Sequence, residues 1–227
     1  MLPQPAPVVL AEACPIDLAL DEGMGGMISV DLMAPCHKGE RVVLRHAGLA
    51  VTFRLDDKGT LAQDLPALLP DAQIEIGFAD GNTVEGNLRV DEAATLRRFG
   101  VQWQGAEAFV VHGFENGADF GQPGHVSPAQ PGGIGGGVLA VLGDATVDLP
   151  LLAQIYTYPL AGTPVEVLVE AAVTPQTCGQ DLLGEVIAVE AGEVAVTELT
   201  LAMPECSGVG DFLVLKNLPS EMKLAAN

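Results

Sequence analysis

Aromatic and basic residues are scarce in this sequence. Aromatic side chains make up 4% of the 227 residues, with a single tryptophan, and Lys and Arg number 10 against 30 Asp and Glu. The formal charge of -20 at pH 7 repels phosphate backbones and anionic lipid headgroups. This charge excludes nucleic acid as a partner and predicts a solvated acidic surface, or a docking face for a basic partner or divalent cations.

Catalytic signatures are also lacking. The four serines occur in no G-x-S-x-G setting, and the histidines form no HExxH pair. The glycine run PGGIGGG at 131–137 lacks both the G-x-G-x-x-G spacing and a following Lys-Ser/Thr, so we interpret it as a crossover loop and not as a phosphate-binding loop. The sequence therefore predicts no catalytic residue and no cofactor.

Long helical patterns are missing, and short alternating strands take their place. Hydrophobic residues amount to 48%, and 27 Gly and 16 Pro interrupt the chain every few residues. RVVLRH at 41–46 and QIEIGF at 73–78 show the period of half-buried strands. We predict an all-β protein, an antiparallel β-sandwich with two sandwich-like halves and at most short helices.

The same pattern suggests how the chain is divided. Residues 1–12 are rich in Pro and Ala and are interpreted as a linker. The acidic start and basic end of DEAATLRR at 91–98 predict a short helix. A boundary at this helix gives an N-terminal sandwich over 13–98 and a C-terminal sandwich over 99–227. The Leu- and Pro-rich segment at 61–72 is predicted to hold a helical turn.

The four cysteines are too far apart for a CxxC redox motif or a zinc knuckle. Cys14 and Cys36 enclose a strand, a glycine-containing turn and a returning strand, and so do Cys178 and Cys206. Because a hairpin brings its two ends within bridging distance, we predict these two pairs as disulfides. Each closed loop constrains the unfolded chain by about 3 kcal/mol.

Disulfides persist in oxidising compartments, which points to the periplasm or the cell exterior. The N-terminal residues show neither a basic region nor a long apolar run, and no segment reaches membrane-spanning length. Either the protein is cytoplasmic with free thiols, or an export segment is missing from this chain. The Pro- and Ala-rich opening favours the second alternative, with a membrane contacted only through a missing N-terminal anchor.

The candidate site lies in the stretch 101–131, which holds the only tryptophan and two of the four histidines. Its predicted binding residues are Trp103, His112, Glu115, Asp119, Phe120 and His125. Long loops carry binding residues more often than strands do, and residues 115–137 form the longest irregular stretch. His112, Glu115, Asp119 and His125 have metal-ligand side chains, but no fixed motif supports a metal, and none is predicted.

Two further interpretations of this stretch remain open. Trp103 with Phe109, Phe114 and Phe120 could form an aromatic platform for a sugar, or Trp103 could belong to the core with its indole N–H bonded to a backbone carbonyl. The two histidines could likewise serve the loop structurally, one ending a strand and the other capping or packing the loop through its own hydrogen bonds.

Several segments resemble a known family. VQWQG at 101–105, FENGADFGQPGHV at 114–126, YTYPL at 156–160, LAMPEC at 201–206 and GDFLVLKNL at 210–218 are similar to a family of uncharacterised alphaproteobacterial exported proteins often labelled "translocase". The resemblance covers most of residues 14–224. It implies an N-terminal anchor or signal, an acidic Pro- and Ala-rich linker and one exported region, but no catalytic residues. Nothing in the chain resembles a nucleotide-driven motor or a channel.

The sequence thus predicts a non-enzymatic periplasmic or cell-envelope binding or scaffold module. It would present the 115–137 loop to a protein or polysaccharide partner and be anchored to the inner membrane in its full-length form. Two alternatives stay open. One is a metal-assisted hydrolase that uses the His112, Glu115, Asp119 and His125 loop, and the other is a structural assembly subunit.

Overall fold

The computed structural model of the chain describes residues 14–105, 108–133, 135–160, 162, 164–190 and 192–216. These residues form sixteen strands and two short 3₁₀ helices, which confirms the all-β prediction. The predicted linker at 1–12 lies outside the described residues. The strands are β1 (Asp17–Gly23), β2 (Met27–Met33), β3 (Arg41–His46), β4 (Leu49–Arg54), β5 (Thr60–Pro66), β6 (Asp71–Gly77), β7 (Thr83–Arg89), β8 (Leu96–Gln104), β9 (Phe109–Glu115), β10 (His125–Val126), β11 (Val138–Leu142), β12 (Leu151–Pro159), β13 (Val165–Ala172), β14 (Asp181–Glu190), β15 (Glu193–Ala202) and β16 (Phe212–Lys216). The 3₁₀ helices are Asp91–Thr95 and Cys206–Gly208.

The strands pair antiparallel in four sheets. The first sheet has the order β1-β2-β5 and the second the order β4-β3-β6-β7. The central sheet has the order β11-β12-β8-β14-β15, and the outer sheet the order β10-β9-β13-β16. Strands of the first half of the chain thus make the first two sheets, and strands of the second half make the central and outer sheets.

Strand β12 of the central sheet is buried on both faces. On β12, Leu152 and Tyr156 belong to a core shared with the outer sheet, whereas Ala153 and Ile155 belong to a core shared with the first two sheets. Because side chains alternate along a strand, a strand that is covered on both sides must be apolar at nearly every position. This explains the almost continuous burial of LLAQIYTYP.

Polar side chains of β8 join the two halves of the chain. Gln102 donates from Nε2 to the carbonyl of Gly48 (2.9 Å) and accepts from the backbone N–H of Ala50 (2.9 Å). The buried guanidinium of Arg98 donates to the carbonyl of Gly26 at 3.0 Å. The predicted boundary between residues 98 and 99 falls within β8, and the division into two domains stays a prediction.

Two local predictions differ from the structure. Residues 61–66 of the Leu- and Pro-rich segment belong to β5, whose partner β2 fixes its register through pairs such as Leu32 with Leu61. The predicted helix over 91–98 ends as a 3₁₀ helix at Thr95, and β8 begins at Leu96. Burial of Arg98 against Gly26 holds the end of the predicted helix in the extended strand.

Both predicted disulfides are present. Cys14 and Cys36 close the β1–β2 hairpin with Cα atoms 6.0 Å apart, and Cys178 and Cys206 close the β14–β15 hairpin with Cα atoms 4.9 Å apart. The two bridges indicate an oxidising, extracytoplasmic environment. In the described part of the chain, no helix has the length and apolar character needed to cross a membrane.

Candidate functional site

The candidate site is built on the end of β9 and the loop that follows it. β9 ends at Glu115 and β11 begins at Val138, and the described residues between them form one strand, the two-residue β10. β10 returns to the edge of the outer sheet, where His125 pairs with Phe114. The loop is therefore tied to the sheet near its middle, which leaves residues 116–124 and 127–137 as two shorter segments.

Four rings gather on the solvent side of the outer sheet. His112 and Phe114 share one face of β9 because they are two residues apart, and His125 lies beside them through the pairing of β10. The ring centroids of Phe114 and His125 are 4.9 Å apart and nearly parallel. Phe120 comes from the 116–124 segment and meets His125 edge-on at 5.2 Å, with 51% of its surface exposed.

The two histidines are joined in a directed chain of hydrogen bonds. The backbone N–H of Gly121 donates to Nδ1 of His125 at 3.0 Å, so this nitrogen carries no hydrogen. The hydrogen of neutral His125 is then on Nε2, which donates to Nδ1 of His112 at 2.9 Å. Neutral His112 in turn carries its hydrogen on Nε2. The hydrogen bond from Gly121 thus links the 116–124 segment to the two imidazoles.

His112 is the last member of this series of hydrogen bonds, and its second ring nitrogen is not hydrogen-bonded to a described residue. Its Nε2 is buried, has no hydrogen-bond partner among the described residues and lies 3.9 Å from Oε2 of Glu170 on β13. Burial, together with a smaller effect of the neighbouring His125, lowers the pKa of His112 from 6.5 to about 4. His112 is therefore neutral at neutral pH, as the hydrogen-bond chain requires.

Glu115 occupies the opposite face of β9, toward the central sheet. Its Oε1 accepts a hydrogen bond from the hydroxyl of Tyr156 at 2.8 Å and another from the backbone N–H of Gly137. Burial raises the pKa of Tyr156, and the bond to Glu115 raises it further. The phenol therefore stays a donor, and the carboxylate connects β9, β12 and the end of the glycine run.

Two glycines are required by this arrangement. A Cβ on Gly113 would overlap the ring of Tyr156, and a Cβ on Gly137 would overlap the Tyr156 hydroxyl. The backbone at Gly113 and at Gly137 approaches Tyr156 at distances that no larger residue allows. The end of the glycine run is therefore packed against a buried tyrosine.

An open cleft of about 650 Å³ lies between the two loop segments. Glu115 and His125 contribute to its lining, together with glycines and prolines of both segments and the amide side chains of Gln122 and Gln130. Of the described residues that line this cleft, Glu115 alone carries a fixed charge. We call this feature the loop cleft.

The structure brings four of the six predicted binding residues to this region. His112, Phe120 and His125 form the ring cluster, and Glu115 lines the loop cleft. Asp119 accepts from the N–H of Phe120 at 2.8 Å, within the turn of the 116–124 segment. This bond orders the turn but does not bring the Asp119 carboxylate to the two histidines.

Trp103, the sixth predicted residue, lies in the core between the central and outer sheets, where it meets Phe109 edge-on at 5.6 Å. Phe109 points inward and Phe114 outward, because they are five residues apart on β9. The rings proposed for a sugar platform therefore lie on opposite faces. Trp103 also borders a smaller cleft of about 250 Å³, and a binding role for it stays a prediction.

Two residues of the site were not predicted. Tyr156 and Glu170 lie on β12 and β13, far from the loop in sequence, and they reach it through the strand pairing of β9 and β13 and the packing of the central sheet. In the sequence each belongs to an ordinary strand pattern. No local signal distinguishes them.

The side chains that a metal-assisted hydrolase would use make hydrogen bonds within the protein. The two imidazoles bond to each other, and Glu115 bonds to Tyr156 and Gly137. Among the residues that the structure describes, no group of three or more His, Cys, Asp or Glu is placed to hold a metal ion.

Comparisons with known proteins add no assignment. No known protein family matches this sequence, and no curated protein matches it.

Proposed function

We propose that the protein is a non-enzymatic binding or scaffold module of the cell envelope, which presents the 115–137 loop to a protein or polysaccharide partner. The observation that carries this proposal is the loop cleft. It is open to solvent and borders a partly exposed ring cluster, and it is held by hydrogen bonds to two sheets.

The anchoring of the loop favours recognition by a preformed surface. The Gly121–His125 bond fixes one segment, and the Glu115–Gly137 bond fixes the end of the other. A loop that is ordered before binding loses less conformational entropy when a partner binds. Large sheets behind the loop supply the rigid support that a binding site needs.

The two disulfides support an envelope location. Within the envelope we propose the periplasm, with an inner-membrane anchor in the full-length form. The acidic surface supports high solubility there and argues against binding to anionic phosphate polymers.

Photo-crosslinking in the organism that makes the protein tests the proposal. Phe120 is half exposed on the 116–124 segment, so p-benzoylphenylalanine at this position should crosslink a defined envelope protein or polysaccharide. The products are read on gels and by mass spectrometry.

Phe212 is the matched control position, because it is an aromatic residue that is 58% exposed on β16, at the opposite edge of the outer sheet from β10. The proposal predicts a defined product from position 120 that position 212 does not give. The same products from both positions, or none from position 120, would contradict it.

A further inference from the structure

We infer that the loop cleft receives a basic side chain, arginine or lysine, from a partner protein. This inference rests on the proposed function, because it names the chemistry of the partner that the 115–137 loop would bind. Three observations support it: the orientation of the Glu115 carboxylate, the absence of Lys and Arg among the described residues that line the cleft, and the net negative charge of the chain.

The carboxylate of Glu115 is held with one oxygen engaged and one directed to the cleft. Oε1 accepts both the Tyr156 hydroxyl and the Gly137 N–H. Oε2 lies on the side of Gly136, which lines the loop cleft, and has no hydrogen bond to a described residue. Two donors on Oε1 fix the side-chain rotamer, so Oε2 is presented in one place before any ligand arrives.

The surroundings of Oε2 suit a cation. None of the described residues that line the cleft is Lys or Arg, and Gln122 and Gln130 offer neutral amide groups. An ammonium or guanidinium group that binds a carboxylate makes a charge-assisted hydrogen bond, which is stronger than a hydrogen bond between neutral groups.

Phe120 is an exposed aromatic ring beside the loop cleft. It is 51% exposed and adjoins Gly121, which lines the loop cleft. A cation over the face of an exposed aromatic ring gains further attraction, and guanidinium groups stack on such rings most readily. Phe120 therefore offers a second basic side chain of the partner a contact beside the cleft.

The whole-chain charge directs basic partners to the surface. A net charge of -20 attracts cationic segments over the range of the screened field and speeds their encounter. This long-range attraction does not choose a site. Glu115 would supply the local discrimination, because it is the fixed charge in the cleft.

The inference is tested by calorimetric titration of the folded protein with short, acetylated and amidated peptides. One peptide carries two arginines between glycines, one has lysine in their place, and one has citrulline, which keeps the shape of arginine without its charge. A neutral glucose hexasaccharide is the fourth probe. Titrations are run at about 0.15 M salt, where attraction between distant charges is largely screened.

Glu115→Gln is the decisive variant, because its amide oxygen can still accept from Tyr156 and Gly137 while its NH₂ group replaces Oε2. Glu22→Gln is the matched control, since it removes the same charge from an exposed position on β1. We expect the arginine or lysine peptide to bind wild type and Glu22→Gln alike, and to bind Glu115→Gln at least about tenfold more weakly.

Other results would overturn the inference. Equal weakening in both variants would mean a general charge effect, and equal binding of the citrulline peptide would mean that charge is not recognised. Binding of the hexasaccharide in place of the basic peptides would reject the basic partner but keep the proposed binding function. If no probe binds while position 120 still crosslinks a partner, the inference fails alone. If neither binding nor crosslinking occurs, both proposals fail.

Discussion

The two buried histidines, one in each half of the chain, differ in how their ring nitrogens are used. His46 on β3 is 2% exposed; its Nδ1 donates to the carbonyl of Gln73 at 3.0 Å, and its Nε2 accepts the N–H of Leu68 at 2.8 Å. His112 on β9 is 7% exposed, bonds only to another imidazole and leaves Nε2 without a partner among the described residues.

The difference in hydrogen bonding indicates different roles for His46 and His112. A buried polar group that satisfies backbone groups on both sides stabilises the fold. A buried polar group with an unpaired nitrogen costs free energy, and its position is maintained by the packing around it. The comparison indicates that His46 secures the second sheet, whereas His112 positions the loop next to the cleft.

Truncation of each histidine should give the largest contrast. His46→Ala removes two hydrogen bonds, leaves the Leu68 N–H and the Gln73 carbonyl unpaired and creates a cavity, so we expect about 3 kcal/mol less unfolding free energy. His112→Ala also removes the unpaired Nε2, so we expect a loss of about 1 kcal/mol. Urea unfolding at neutral pH measures both, and equal losses would break the comparison.

Acid should destabilise the His112 region next. The pKa of His112 is about 4 in the folded chain against 6.5 in the unfolded chain, because burial disfavours the charged ring. The unfolded chain therefore binds more protons between these values, and stability is lost as pH falls from about 6.5 to about 4. The total loss from this group is up to about 3 kcal/mol.

The pH effect of His112 can be isolated by a variant. His112→Gln keeps a polar side chain but has no titrating ring, so its unfolding free energy should fall less steeply over that window. His46 also has a lowered pKa and remains in both proteins, so the difference between them reports His112. Asp56 and Asp144 have pKa values lowered below 3.8 and titrate beneath the window. Identical slopes for variant and wild type would contradict the assignment.

Removal of one hydroxyl should have the smallest effect on the fold and a local effect on the loop. Tyr156→Phe deletes the donor to Glu115, and we expect about 1 kcal/mol less stability together with faster exchange of the Gly137 amide hydrogen. Tyr158→Phe is the control, because the Tyr158 hydroxyl has no hydrogen bond to a described residue. Unchanged Gly137 exchange in Tyr156→Phe would show that the carboxylate does not hold the loop through this tyrosine.

Local features of this fold could be predicted from the sequence. The alternation in RVVLRH matches β3, and the disulfide pairs follow from the hairpins that they enclose. β5 was missed because its Leu and Pro content resembles a turn, while its strand form depends on pairing with β2. The helix predicted over 91–98 is longer than the observed 3₁₀ helix, which ends at Thr95. The local sequence does not reveal this end, because Arg98 is held in β8 by a contact with Gly26, which is distant in sequence.

For the candidate site too, the sequence predicted the local features but not the contacts between distant strands. His112 and His125 are 13 residues apart, and the loop between them was identified from its composition. The bond between Glu115 and Tyr156 joins residues 41 apart on different sheets, and neither strand carries a pattern that predicts it. The alternation of side chains along β9 places Phe109 in the core between the central and outer sheets and Phe114 on the opposite face, in the ring cluster.

The central claim is that Glu115 is held by the fold but serves a ligand. Thermal unfolding of wild type and Glu115→Gln, with and without the arginine peptide, tests it most directly, because a ligand that binds the folded state raises Tm. We predict nearly equal Tm values without peptide and a rise with peptide in wild type alone. A Glu115→Gln protein that unfolds well below wild type without peptide, or that gains the same rise with peptide, would contradict the claim.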